Sequence, residues 1–220
     1  MKTTQESLYV GSAEIDFTPA PGLSLLGQMH DRTAQRMRDP LMANAMAIRQ
    51  GRETVVLVSV DICFLSPDFV VATQQAFAKR ARLPASHLIL HATHTHVAPS
   101  VMSVLSTRAD PAFVESLRAA ILDVAAHAVA HLQPARAFSG RGQLEQLGWN
   151  RRAMFKDGTS RMYGHSDNEG FAGMEGPRDP TLSVLFARDA RDQVTTVIVN
   201  ASTHPNTLEG EWFYSADIPG

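Results

Sequence analysis

A single cysteine, Cys63, in 220 residues leaves no partner within the chain for a disulfide. It lies in the apolar run VSVDICFL, which predicts a buried, unreactive thiol. Basic residues are not in excess. Twenty Lys and Arg face 22 Asp and Glu for a net charge of −2, so no surface is set aside for a phosphate backbone and nucleic acid is not an expected partner. No apolar run reaches the roughly 18 residues that a membrane-spanning helix needs. The opening MKTTQESLYVG lacks the apolar core of a signal peptide. Cytoplasm is therefore the expected location, with secretion the alternative where a leader has been removed. The glycines of PGLSLLG and GRGQ do not form a phosphate loop. SADIPG ends the chain at Gly220 with neither a terminal helix nor a polar tail. That predicts one domain over 1–220, incomplete at its carboxy end.

What remains is ordinary globular composition, 44% hydrophobic and 19% charged. SLYVGSAEIDF reads as a strand closed by Thr18, Pro19 and Pro21. LMANAMAIRQ and TVVLVSVDI flank the turn Gln50-Gly51-Arg52-Glu53 as a β-hairpin. The second arm is apolar on both faces, which predicts a covered central strand ending at Asp61. Ser66-Pro67 and Asp110-Pro111 each pair a capping side chain with proline at the first helical position, so helices follow both. In the second helix Phe113, Leu117, Ile121, Val124 and Ala128 share one face. HLILHATH reads as the strand between the helices, and TLSVLFARD with QVTTVIVNAS as a second hairpin. Residues 20–38 and the Gly-rich stretch 140–180 read as irregular. The expected fold is α/β: a mixed β-sheet core with hairpins and flanking helices, and a metal site at strand ends.

Chemistry concentrates in HATHTH, residues 91–96. Extended to its end as a strand, the segment puts His94 and His96 on one face and His91 on the other. Two imidazoles on one face can converge on one metal ion, or one can bind metal while the other moves a proton. Thr203-His204-Pro205 again follows an apolar strand. If the two strands share a sheet and a direction, His204 meets His94 at its edge. Asp61, at the end of a buried strand, is either a carboxylate that orients His94 or His96, or a loop cap. His127 and His131 stand one turn apart near a helix C-terminus, where a cationic imidazole suits the dipole, and read as structural. His30 and His165 read as surface residues. For Asp217 in SADIPG, site and cap readings stand level.

These motifs resemble one family. VSVDIC followed by THTH is similar to the amino-terminal catalytic domain of neutral ceramidases, the non-lysosomal zinc amidases. VGSAEIDFTP, DPLMANAMAI, Asn150-Arg151, THPNT and SADIPG resemble further family segments in the same order, over most of the chain. The resemblance implies a Zn²⁺ cofactor with His94 as first ligand and His204 as second. It implies that His96 contacts substrate or the reacting water, and that Arg151, beside Asn150, meets the substrate's polar head. It implies a lipid-like N-acyl amide as substrate. It also implies a glutamate and a tyrosine ligand much further along than residue 220. Val97-Ala98-Pro99 stands where family members carry a small residue and then Gly-Pro. Two other readings remain open: an amidohydrolase barrel, which also uses HxH on a strand, and a metal-binding module without turnover.

Overall fold

The computed structural model describes residues 7–145 and 148–220, which divide into two compact units. The first holds the described residues up to 137 together with 187–196 and 205–220; the second holds 138–186 and 197–204. In chain order the first part runs β1 (Leu8–Asp16), β2 (Leu25–Leu26), β3 (Arg36–Met37), β4 (Met42–Gln50), β5 (Glu53–Val60), α1 (Pro67–Ala81), β6 (Leu88–Ala92), β7 (Ala98–Pro99), α2 (Pro111–Ala130) and β8 (Gln133–Pro134). Then come β9 (Arg136–Gln143), β10 (Arg152–Phe155), β11 (Ser160–Met162), β12 (Phe171–Met174), β13 (Thr181–Arg188), β14 (Val194–Ala201) and β15 (Phe213–Tyr214).

The main sheet of the first unit has the order β6-β5-β4-β1-β8. Gly51, with φ of 56°, turns β4 into β5, and Gln50 pairs with Glu53 across that turn. β5 and β6 are parallel neighbours, so the chain needs a crossover between them, and α1 supplies it. Alternation is clean along β5: Val56, Val58 and Val60 are fully buried. β5 lies between β4 and β6, the central position that its apolar run predicts, with one face fully buried and Val55 and Leu57 on the other half-buried. Open, mixed pairing of this kind is not the closed parallel barrel of the amidohydrolase reading.

Both helices start where the sequence places them. Ser66 Oγ accepts from the Phe69 N–H at 3.3 Å, and Asp110 Oδ1 accepts from the Phe113 N–H at 2.8 Å. α2 lies across β1, β4 and β5, with α1 packed beside it and against β6. Its predicted face, Phe113, Leu117, Ile121, Val124 and Ala128, is buried throughout. Close approach of α2 requires Gly11 in β1. A Cβ there would stand 2.1 Å from the Ala128 carbonyl oxygen and 2.8 Å from the Leu132 nitrogen. No described helix is long and apolar enough to cross a membrane.

Two expectations are corrected. Much of 140–180 is not irregular: β10 pairs antiparallel with β11 and with β12, in a small sheet of the second unit. Strands of three or four residues, broken by turns at Asp157–Gly158 and Asn168–Gly170, leave no run long enough to show alternation. Gln146 and Leu147, within that stretch, lie outside the described residues. Nor do the two histidine-bearing strands share a sheet. β6 belongs to the five-stranded sheet, whereas β14 joins β13 and β9, strands within which the division between the units falls.

Asp61 ends β5 with its side chain turned back to the sheet. Its Oδ2 accepts from the Met42 N–H at 2.9 Å and so fastens the start of β4. Burial pushes this carboxyl up to about 6, with a smaller push from Asp39, while the Met42 N–H and the Thr93 hydroxyl favour the charged form. A folded-state value above the ordinary 3.8 means that the folded protein holds this proton more tightly than the unfolded chain. Asp61 therefore lowers stability as pH rises from about 4 to about 6, and the loss persists above that. Asp61→Asn keeps an acceptor for Met42 and removes the charge. Denaturant midpoints of variant and wild type should diverge in the variant's favour across that window, by on the order of 2–3 kcal/mol. A gap that does not change with pH would contradict the assignment. Gly11→Ala should cost about 1–3 kcal/mol by overpacking under α2, read by the same unfolding curves at neutral pH.

Candidate metal centre

Parallel strands bring their carboxyl ends to the same edge of a sheet, the usual place for a site in α/β folds. Asp61-Ile62-Cys63 leaves β5 there, and Thr93-His94-Thr95-His96 leaves β6 beside it. Backbone bonds prolong the pairing past both strands: Thr93 N–H donates to Val60 O at 3.0 Å and His94 N–H to Ile62 O at 2.9 Å. His94 then takes φ of 70°, in the left-handed region. Few residues with a side chain adopt this conformation, and strain of this kind concentrates at functional sites. β6 thus ends at Ala92, and the strand alternation expected through His96 does not hold. The two imidazoles converge nonetheless, because the left-handed turn at His94 folds them together.

Hydrogen bonding fixes which nitrogen each ring presents. His94 Nδ1 lies 2.6 Å from the Cys63 carbonyl oxygen, and a carbonyl only accepts, so the proton sits on Nδ1. His96 Nδ1 lies 3.0 Å from Glu209 Oε2, which places its proton the same way. Both Nε2 atoms then offer lone pairs, and they stand 3.5 Å apart, with the rings edge to face at 78°. Two lone pairs at that distance repel unless a proton or a metal cation lies between them. Two nitrogens on one tetrahedral zinc, at about 2.0–2.1 Å from the metal, would stand about 3.3–3.4 Å apart. Cys63 completes the group: one donor atom from each of Cys63, His94 and His96 lies within 4.8 Å of the others. These residues can hold a metal ion. The thiol is buried as expected, and burial pushes it up to about 11, so it is neutral at physiological pH without a cation beside it.

The surrounding chain holds His96 from several sides. Arg32, 1% exposed, donates through Nη2 to His96 O at 2.7 Å and through Nη1 to Glu211 O at 2.8 Å. It ties the histidine loop to the turn that carries Glu209. Burial lowers the Arg32 pKa, and the charge of Glu209 opposes that shift. Gly27 lies flat against the His96 ring: with φ of 127°, an added Cβ would stand 2.5 Å from His96 Cγ. SADIPG acts as lacing. Thr95 Oγ1 donates to Ser215 O, Ser215 Oγ donates to Asp39 Oδ2, and Asp217 Oδ2 accepts from the Leu208 N–H at 3.0 Å. Asp217 therefore anchors the Glu209 turn from below.

Among the described contacts, residues singled out in the sequence meet within each unit. His94 and His96 face each other in the first. In the second, Arg151 Nη1 donates to His204 Nε2 at 3.3 Å, and the guanidinium lies over the Tyr163 ring, 5.3 Å from its centre. Asn150 Oδ1 accepts from the Arg152 N–H, so its carbonyl serves a local turn and its amide group is left to other contacts. Asp61 binds the start of β4 rather than an imidazole. His30, His127 and His165 are exposed, and His131 Nδ1 bonds His127 O. Sequence reasoning missed Glu209 and Arg32. Glu209 carries no motif, and the one signal for Arg32, a charge in a loop with several glycines, does not separate it from its neighbours.

No family model and no curated protein matches the chain. Solved structures do. Neutral ceramidase from Pseudomonas aeruginosa superimposes with a TM-score of 0.76 at 23% identity, over 96% of this chain and 34% of that one. A ceramidase structure described as complexed with C2 gives the same score and identity, over 96% of this chain and 33% of that one. The chain thus spans about a third of the length of these proteins, and what it shares with them at this identity is the fold of that third.

Proposed function

We propose that the chain carries part of the active site of a zinc-dependent amide hydrolase of the ceramidase type, which cleaves the carbon–nitrogen bond of a lipid-like N-acyl substrate. One observation carries the reading. His94 and His96 turn their Nε2 atoms toward each other, 3.5 Å apart, at the carboxyl ends of parallel strands, each ring fixed through Nδ1. That is the donor set and tautomer a zinc site uses. The fold shared with neutral ceramidase supports the substrate class.

Within this reading His94 is a zinc ligand through Nε2. His204 takes the place of second ligand on the resemblance of its THPN segment; the glutamate and tyrosine ligands that the resemblance implies belong to a part of the ceramidases that this chain does not span. Zinc, when bound, lowers the pKa of water to about 7 and polarises the amide carbonyl. His96 Nε2 accepts a proton at the reacting water and returns it to the leaving amine; the Nδ1 bond to Glu209 stabilises the ring while it is charged. Arg151 donates to a hydroxyl or carbonyl oxygen of the substrate's polar head, with the Asn150 amide beside it. Asp61 acts on His94 at one remove, by holding the end of β5 from which the Cys63 carbonyl projects.

The full-length protein, purified, should bind about one zinc per chain, measured by elemental analysis after dialysis. His94→Ala should lose the metal, and with it release of fatty acid from a short-chain N-acyl sphingoid base. His96→Ala should keep the metal and lose at least about 100-fold in that release. A protein that takes up no zinc, with metal content and activity indifferent to His94→Ala, would sink the proposal.

A further inference from the structure

Glu209 belongs to none of the segments that resemble the ceramidases, yet its carboxylate lies 3.0 Å from Nδ1 of a proposed catalytic ring. We infer that Glu209 is the positioning residue for His96: it accepts the Nδ1 proton, fixes the tautomer, and aims Nε2 at the reacting water. This rests on the hydrolase reading for its consequence in turnover, but not for the geometry.

Three independent restraints converge on the pair. His96, 7% exposed, sits 3.0 Å from Glu209 Oε2 through Nδ1. The same oxygen accepts from Asn206 Nδ2 at 3.1 Å, which holds the carboxylate in one orientation. Backbone bonds shape the turn, Glu209 N–H to Asn206 O and Glu211 N–H to Leu208 O, and Asp217 fastens Leu208. Arg32 then clamps the two segments to each other through His96 O and Glu211 O. A ring held only by packing could rotate or shift its proton. Here the carboxylate opposite Nδ1 makes the Nδ1–H form the favoured one, because an acceptor at one ring nitrogen sets which nitrogen carries the proton.

The consequence is specific to an acceptor at that point. Glu209→Gln retains an oxygen that can accept from Nδ1–H; Glu209→Ala retains none. Imidazole nitrogen shifts of the metal-free protein, read by NMR at about pH 8 where histidine is neutral, report the tautomer directly. Wild type and Glu209→Gln should show His96 protonated at Nδ1, and Glu209→Ala should move it toward the Nε2–H form. In the zinc-loaded protein Glu209→Ala should lower kcat about 10–100-fold with KM and zinc content unchanged, and Glu209→Gln should restore most of it. His96 found as Nε2–H in wild type, or a tautomer indifferent to Glu209→Ala, would overturn the assignment. Glu209→Gln as damaging as Glu209→Ala would also overturn it, since then only the charge or the turn matters. The tautomer measurement needs neither zinc nor substrate. The expected NMR pattern in a protein without hydrolase activity would leave Glu209 in place and remove the hydrolase reading instead.

Discussion

The parallel pairing of β5 with β6 is the constraint on which the rest depends. It sets two strand ends side by side at one edge of the sheet, and its backbone bonds continue one step beyond the strands, from His94 N–H to Ile62 O. That last bond puts the Cys63 carbonyl within reach of His94 Nδ1. The tautomer of His94 is thus a product of strand register. A register slip of one residue would exchange the faces of β6 and separate the carbonyl from the ring. The crossover helix α1, the Ser66 cap that starts it and the Asp61 anchor to β4 all serve to keep this pairing in place.

Around that fixed point the chemistry is one of imposed repulsion. Neutral imidazoles do not ordinarily hold their lone pairs toward each other. Here each Nδ1 faces an acceptor, a carbonyl for His94 and a carboxylate for His96, so the proton sits on Nδ1 in both rings, and the turn at His94 brings the two Nε2 atoms to 3.5 Å. A cation beside His94, or a proton on one Nε2, would relieve that repulsion. The buried thiol of Cys63 adds a third donor that burial keeps protonated until a cation favours the thiolate. The left-handed conformation of His94, the close approach of Gly27 and the burial of Arg32 are costs of the same arrangement, borne by a core that extends from β1 to α2.

Much of this was legible in the sequence, for physical reasons. Caps at Ser66 and Asp110, the apolar face of α2 and the covered strand from Val55 to Val60 are local patterns that burial then enforces. HATHTH pointed to a candidate site because three histidines in six residues serve a core poorly. The route by which His94 and His96 meet was not legible: strand alternation gives the same pairing as the left-handed turn, and no residue in THTH marks that turn. Glu209 and Arg32 reach the site through tertiary contacts 113 and 64 residues away in sequence, which no spacing encodes. The small sheet of β10 to β12 was hidden for a different reason, since its strands are too short to alternate.

Anomalous diffraction at the zinc edge, on crystals of zinc-loaded protein, tests the assignment of His94 as a metal ligand most directly. A peak at about 2.0–2.1 Å from His94 Nε2, and beyond that distance from His96 Nε2, is the expected result. A zinc-loaded crystal with no peak at His94 Nε2, or one whose peaks lie only at other side chains, would contradict it.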